Sequence, residues 1–208
     1  IYIADYNNTR IFFIPKASGT YFGQSMIANY IYTIAGNGSA SYTSDNVAAT
    51  STGIRNPRGV CVDSAGNVYI ADTGNNRVRF IPRTSATFFG QSMTANYIYT
   101  IAGNGTGGYV ADNVAATNTQ IYQPSGVAVD GEGNVVFSEI YNYRVRFVPK
   151  TTGTYFGQSM TANYIYTIAG NGTSGYLADN VAATNRRISS LNAISVDVVG
   201  NDYIAEAG

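Results

Sequence analysis

The sequence predicts an all-β fold, a β-propeller of blades with four antiparallel strands each, and three observations predict it. An eighteen-residue segment, Tyr21 to Gly38, returns almost unchanged at Phe88 to Gly105 and again at Tyr155 to Gly172, each copy 67 positions after the last. The same shift carries Ile3-Ala4-Asp5 onto Ile70-Ala71-Asp72 and then onto Ser138-Glu139, so the 208 residues hold three units, and the last seven, Asp202 to Gly208, restart the unit. Each unit reads as four short β-prone runs set off by turn residues, and no long run carries helical spacing. Fixed-period repetition outranks local signals, because one small unit must bury its apolar face against its neighbours.

The second unit, followed from Pro57, justifies the strands in order. Gly59-Val60-Cys61-Val62-Asp63 is a short β-prone run, and Ser64-Ala65-Gly66-Asn67 is a turn that joins it to a second strand, Val68-Tyr69-Ile70-Ala71-Asp72. Thr73-Gly74-Asn75-Asn76 turns again. Arg77-Val78-Arg79-Phe80-Ile81 alternates polar with apolar residues, as a strand with one wet and one packed face does, and Pro82 ends it. A long connection, Arg83 to Asn96, leads to the fourth strand, Tyr97 to Ala102, closed by Gly103-Asn104-Gly105. A second long connection, Thr106 to Gln123, returns to the next unit. Within it Asp112 to Thr117 reads as one helical turn with Asp112 as N-cap, and the turn recurs at Asp45 and Asp179. A minimal four-stranded blade takes about 40–50 residues, so the surplus lies in the two connections.

The whole chain, 1–208, reads as a single propeller segment. Its units run from about 1 to 57 (a partial first blade and linker), 58 to 124, 125 to 191, and 192 to 208 (the start of a fourth). Its 45% hydrophobic content suits a packed core. Charged residues make up only 12%, twelve of each sign, with no histidine; so sparse and balanced a set excludes the concentrated positive field that a nucleic-acid partner needs. Tyrosine, at 18 residues, supplies hydrogen bonding without charge, which suits contact with glycans, surface proteins or other copies of the chain. No run is long and apolar enough for a membrane span. The chain begins without Met inside a unit and so reads as a processed or excised segment.

Pro57-Arg58-Gly59-Val60-Cys61-Val62-Asp63-Ser64-Ala65-Gly66-Asn67-Val68-Tyr69-Ile70-Ala71-Asp72, continued through Arg77-Val78, resembles the NHL repeat, P-x-G-V-A-V-D-x-x-G-N-V-Y-V-A-D-x-x-N-x-R-I. Pro124 to Val145 resembles it again with Glu139 for the Asp, the first unit keeps Asp5, Asn8 and Arg10, and Asn192 to Asp197 lacks both the Pro and the Gly. The A-G-N-G-T-x-G-Y segment is similar to the lengthened NHL repeats of bacterial secreted and surface proteins. The resemblance implies a propeller ring, commonly of six blades, in an extracellular or cell-surface bacterial protein. It implies no single function, since such propellers serve as protein platforms, RNA binders, receptor ectodomains and occasionally lyases.

The acids fall into repeated slots: Asp5, Asp72, Glu139 and Glu206; Asp63, Asp130 and Asp197; Asp45, Asp112 and Asp179. A catalytic carboxylate is normally singular in an asymmetric site, so these are expected to cap backbone N–H groups and hold blades together. Arg10, Arg77 and Arg144 follow the first slot by five residues and are expected to pair with Asp5, Asp72 and Glu139 across the turn. Zinc chemistry and a nucleophilic triad lack their histidine; a calcium ion at Asp63, Asp130 or Asp197 is the cofactor left open. Cys61, the one cysteine, stands where the other units have Ala128 and Ser195 and reads as a small buried thiol. Asn37-Gly38, Asn104-Gly105 and Asn171-Gly172 form sequons, as does Asn7-Asn8-Thr9, but are turn formers first. The most invariant segment offers the candidate contact residues Tyr21, Phe22 and Gln24, with copies Phe88, Phe89 and Gln91, and Tyr155, Phe156 and Gln158. They are expected either to meet a sugar or protein repeatedly or to fold back as a plug beneath the blade.

Three blades do not close a ring, and an arc would leave two apolar faces bare. The expectation is therefore a non-enzymatic extracellular scaffold for interaction or self-assembly, completed by further copies or blades into a ring or fibre. The alternative is a calcium-supported glycan-binding or lyase-like propeller.

Overall fold

The computed structural model describes residues 1–197 and 199–206. Runs of β-branched and aromatic residues between turn residues become strands, as their fit to a pleated, packed surface requires. The first unit gives β1 (Tyr2–Asp5), β2 (Arg10–Phe13), the small hairpin β3 (Gly19–Tyr21) and β4 (Gln24–Met26), β5 (Tyr32–Ala35), and the two-residue β6 (Val47–Ala48). The second gives β7 (Gly59–Val62), β8 (Val68–Asp72), β9 (Arg77–Ile81), the hairpin β10 (Ala86–Phe88) and β11 (Gln91–Met93), β12 (Tyr97–Ala102) and β13 (Val114–Ala115). The third gives β14 (Pro124–Val129), β15 (Val135–Glu139), β16 (Arg144–Val148), the hairpin β17 (Gly153–Tyr155) and β18 (Gln158–Met160), and β19 (Tyr164–Ala169). A final pair, β20 (Leu191–Val196) and β21 (Asp202–Glu206), follows.

The two complete sheets have five strands rather than four, in the orders β6-β12-β9-β8-β7 and β13-β19-β16-β15-β14. The fifth is the outermost and comes from the connection upstream: Tyr97 pairs with Ala48 and Ile98 with Val47. The first sheet holds β1-β2-β5 and the last β20-β21. The segment read as a helical turn capped by Asp112 is instead β13 followed by a 3-10 turn, Ala116–Asn118, whose N-cap is Ala115 without a side-chain cap. Asp112 is drawn off to a charge cluster described below, which leaves it no reach to cap that turn.

Each complete sheet is buried on both faces. Along β8 all five residues are buried: Val68 and Ile70 join Ile11, Phe13 and Ile34 of the first blade in one core, while Tyr69 and Ala71 join Val127, Val135 and Phe137 of the third in another. Alternation along a strand thus divides two junctions instead of separating core from water. The innermost strands meet backbone to backbone. A Cβ on Gly59 would lie 2.5 Å from the Ser125 carbonyl oxygen, and one on Gly126 would lie 2.6 Å from the Ile194 nitrogen. In the last unit the same slot holds Ala193, whose side chain is exposed.

The outer face of the first blade is apolar and uncovered. Ile1, Ile3 and Ile31 are 74%, 36% and 56% exposed, whereas their equivalents Val68, Ile70 and Ile98 are at 0%.

Candidate functional site

The turn between the two innermost strands of each blade is built on one carboxylate. Asp63 accepts from the Ala65 and Asn67 backbone N–H groups at 3.0 and 2.9 Å, from Asn67 Nδ2 at 2.7 Å and from Tyr69 Oη at 3.1 Å. Asp130 and Asp197 repeat the arrangement with Asn134 and Asn201. Such bonds favour the charged form, and those from Asn201 hold the Asp197 carboxyl below the usual carboxylate range. Among the described residues no three His, Cys, Asp or Glu side chains gather into a group fit to hold a metal ion. Cys61 is half-buried against the core between the second and third blades; burial, then the nearby Asp63, pushes its thiol up to about 12.

The expected pairing of Arg10, Arg77 and Arg144 with Asp5, Asp72 and Glu139 does not form, although the Cα atoms stand opposite one another in the register. Arg77 turns outward, donates to the Asn75 and Asn104 carbonyls at 3.2 and 2.9 Å, and stacks on Tyr42 at 3.7 Å. Arg144 does the same with Asn142, Asn171 and Tyr109, and Arg10 bonds the carbonyls of Asn8 and Asn37. Asp5 accepts from the backbone N–H and Nδ2 of Asn8.

The buried acid takes a different arginine, because a carboxylate without solvent needs a cation that is buried with it. Arg79 is at 0% exposure and donates to Asp72 at 3.3 Å and to Asp45 at 2.7 Å. Asp45 also accepts from the Thr100 backbone N–H and hydroxyl, which pins the connection from the first blade onto the second. Arg146 likewise donates to Asp112 at 2.8 Å but meets Glu139 only as a 3.6 Å ion contact without a hydrogen bond. The alternation along β9 predicts a wet face at Arg79; with a blade on either side, that face is dry, and so is its equivalent at Arg146. The first blade has Phe12 at this position.

Glu139 is fully buried, and desolvation pushes its carboxyl from 4.5 up to about 7, with the Arg146 charge and the Asn142 amide offsetting only part. The folded value therefore lies above the unfolded one. Between about pH 4.5 and 7 the folded state holds a proton that the unfolded chain has released, so stability falls as pH rises through that window. The urea midpoint is expected to be higher at pH 5 than at pH 7.5, and Glu139→Gln is expected to flatten the profile. Asp202, pushed up to about 6 by burial and then by Asp130 and Asp197, leaves a residual slope. An equal slope in the variant would overturn the assignment.

The candidate contact residues lie on hairpins folded back over the blade junctions. Phe22 is buried against Tyr2 and Phe13 with Arg83 above its ring, and Phe89 meets Tyr69 and Phe80 edge-on. Gln24 and Gln91 donate to the Thr33 and Thr100 carbonyls at 3.1 and 3.2 Å. Tyr21 and Phe88 lean on Phe13 and Phe80, and Tyr155 on Phe147. In the third unit Phe156 and Gln158 are exposed. The sequon side chains Asn37, Asn104 and Asn171 each accept from the backbone N–H two residues on, closing their own turns.

Beside each hairpin the outer ends of neighbouring blades leave a cleft. One, of about 650 Å³, lies between the first and second blades; its equivalent under the 67-residue shift, of about 490 Å³, lies between the second and third. Nothing in the hydropathy pattern marks them, because their walls come from two connections and two blades.

Residues 55–79 match the family model of the NHL repeat. No curated protein matches the chain. Two solved structures from Bacteroides thetaiotaomicron VPI-5482 are similar over 99% of this chain. One, a structural genomics protein of unknown function, is 17% identical with a TM-score of 0.63, and 41% of its own length is covered. The other, an auxiliary nutrient binding protein, is 15% identical with a TM-score of 0.59, and 42% of its length is covered. The chain thus spans about two fifths of the solved structures it matches, and the likeness is one of fold.

Proposed function

We propose that this chain, a β-propeller segment carrying an NHL repeat, is a non-enzymatic extracellular scaffold whose end faces are covered by further copies or blades. The observation that carries the reading is the contrast between Ile1, Ile3 and Ile31, which are open to solvent, and Val68, Ile70 and Ile98, the same positions fully covered by a neighbouring blade. Burying an aliphatic side chain of this size stabilises by roughly 1.5–3 kcal/mol, so covering three of them favours association strongly. A scaffold role is supported by the acids: the repeated carboxylates are bonded to the turns and cations that hold the blades. The high thiol value of Cys61 keeps it protonated and poorly nucleophilic. The extracellular assignment rests on the resemblance to lengthened repeats of secreted proteins and on the sparse charge.

Size-exclusion chromatography with light scattering tests the proposal. An assembly of at least twice the 22.1 kDa chain mass is expected, and Ile3→Lys with Ile31→Lys should shift it toward the monomer. A stable, well-folded monomer across micromolar concentrations would defeat it.

A further inference from the structure

We infer that the clefts between blades are a row of equivalent subsites for a neutral saccharide. The inference does not depend on completion of the ring. The shift that maps strand onto strand also maps Gln24, Asn37, Thr50, Asn96 and Tyr97 of the first cleft onto Gln91, Asn104, Thr117, Asn163 and Tyr164 of the second. At the third unit the upstream half recurs, with Arg144, Gln158, Asn171 and Thr184.

The chemistry of the lining selects the ligand. Its charged groups are already committed: Arg77 is held by two carbonyls and the Tyr42 ring, and Asp45 by Arg79 and Thr100. A cation therefore finds no free acid, and an anion finds only guanidinium groups already bonded to backbone carbonyls, Arg10 to those of Asn8 and Asn37 and Arg77 to those of Asn75 and Asn104. What remains is neutral and able to bond in two senses. Gln91 donates its amide N–H to Thr100 and so turns its Oε1 free as an acceptor. Among the described residues the Thr117 and Tyr164 hydroxyls have no hydrogen-bond partner. In the first cleft the Oδ1 of Asn96 is buried without a donor, a desolvated acceptor that a ligand hydroxyl would satisfy. Phe89 and Tyr164 add aromatic surface for the C–H face of a sugar ring. Volumes of about 490 and 650 Å³ fall within the range of small-molecule sites. Because the clefts repeat, one polymer chain of repeating sugars can occupy successive sites, and a weak single contact becomes a strong combined one.

The full chain is titrated by isothermal calorimetry with neutral gluco-, manno-, galacto- and xylo-hexasaccharides, with the matching monosaccharides and with a sulfated hexasaccharide. At least one neutral hexasaccharide is expected to bind, and more than tenfold tighter than its monosaccharide. Gln24→Ala with Gln91→Ala should weaken binding about tenfold, the loss of one well-placed hydrogen bond per cleft. Since Gln91 also steadies its hairpin, Thr50→Val with Thr117→Val is the second arm, which should weaken binding severalfold while leaving the melting temperature unchanged. Three results would each overturn the inference: no binding of any neutral hexasaccharide at millimolar concentration, binding of the sulfated one alone, or binding that neither double variant weakens.

Discussion

Arg79→Ala is expected to cost about 3–5 kcal/mol of stability, the usual penalty for removing one partner of a buried ion pair. Asp72 is at 0% exposure, and burial already raises its carboxyl despite Arg79 beside it. Without the guanidinium it keeps the amide of Asn75 and the Arg55 backbone N–H but has no compensating charge. Asp45 suffers less, being 31% exposed and able to turn to water. Neutralising both ends, Arg79→Met with Asp72→Asn, should recover part of the loss, since no unpaired charge stays buried and the new amide oxygen can still accept from Asn75 and the Arg55 N–H. Urea unfolding followed by tyrosine fluorescence measures both. A single variant within about 1 kcal/mol of wild type would show that the pair carries no such weight.

Phe80→Ala is expected to cost a similar amount, about 3–5 kcal/mol, through lost burial and the cavity left behind. Phe80 is fully buried, with Tyr69, Phe88 and Phe89 at ring-centroid distances of 4.9, 5.2 and 5.4 Å. Its loss removes the support of the hairpin as well as part of the junction, so amide exchange across residues 86 to 93 should accelerate more than in the hairpin of the first unit. Equal acceleration in both would mean that the hairpins do not depend on their own blade's core.

The four main strands of a blade were legible because turn residues bracket each β-prone run and the period repeats them. The hairpins were not. Their two-residue turns are Phe22-Gly23, Phe89-Gly90 and Phe156-Gly157, with both residues at positive φ. Sequence rules look there for Asn-Gly, since a bulky residue in that region is strained. Packing of Phe89 against Tyr69 and Phe80 offsets the strain, and a single unit's sequence does not display that contact. Arg79 was misplaced for a related reason: alternation along β9 looks like a wet and a dry face, and only the stacking of blades makes both dry. The clue that was available is that Asp45, Asp72 and Arg79 keep their spacing in the next unit, as Asp112, Glu139 and Arg146, while the first unit has Phe12. The clefts had no signature at all, being assembled from segments up to 122 residues apart, Tyr42 to Tyr164 in the second.

Because Asp45 and β6 reach forward onto a blade whose own strands begin only at Gly59, the stretch that behaves as one self-sufficient cassette is offset from the repeat read off the strands. A chimera that grafts the second blade into another propeller needs the donor chain from Tyr42 to Ala102; a graft cut at Pro57 would arrive with Arg79 left to Asp72 alone, without Asp45, the nearer of its two counter-ions, and with the sheet short of its rim.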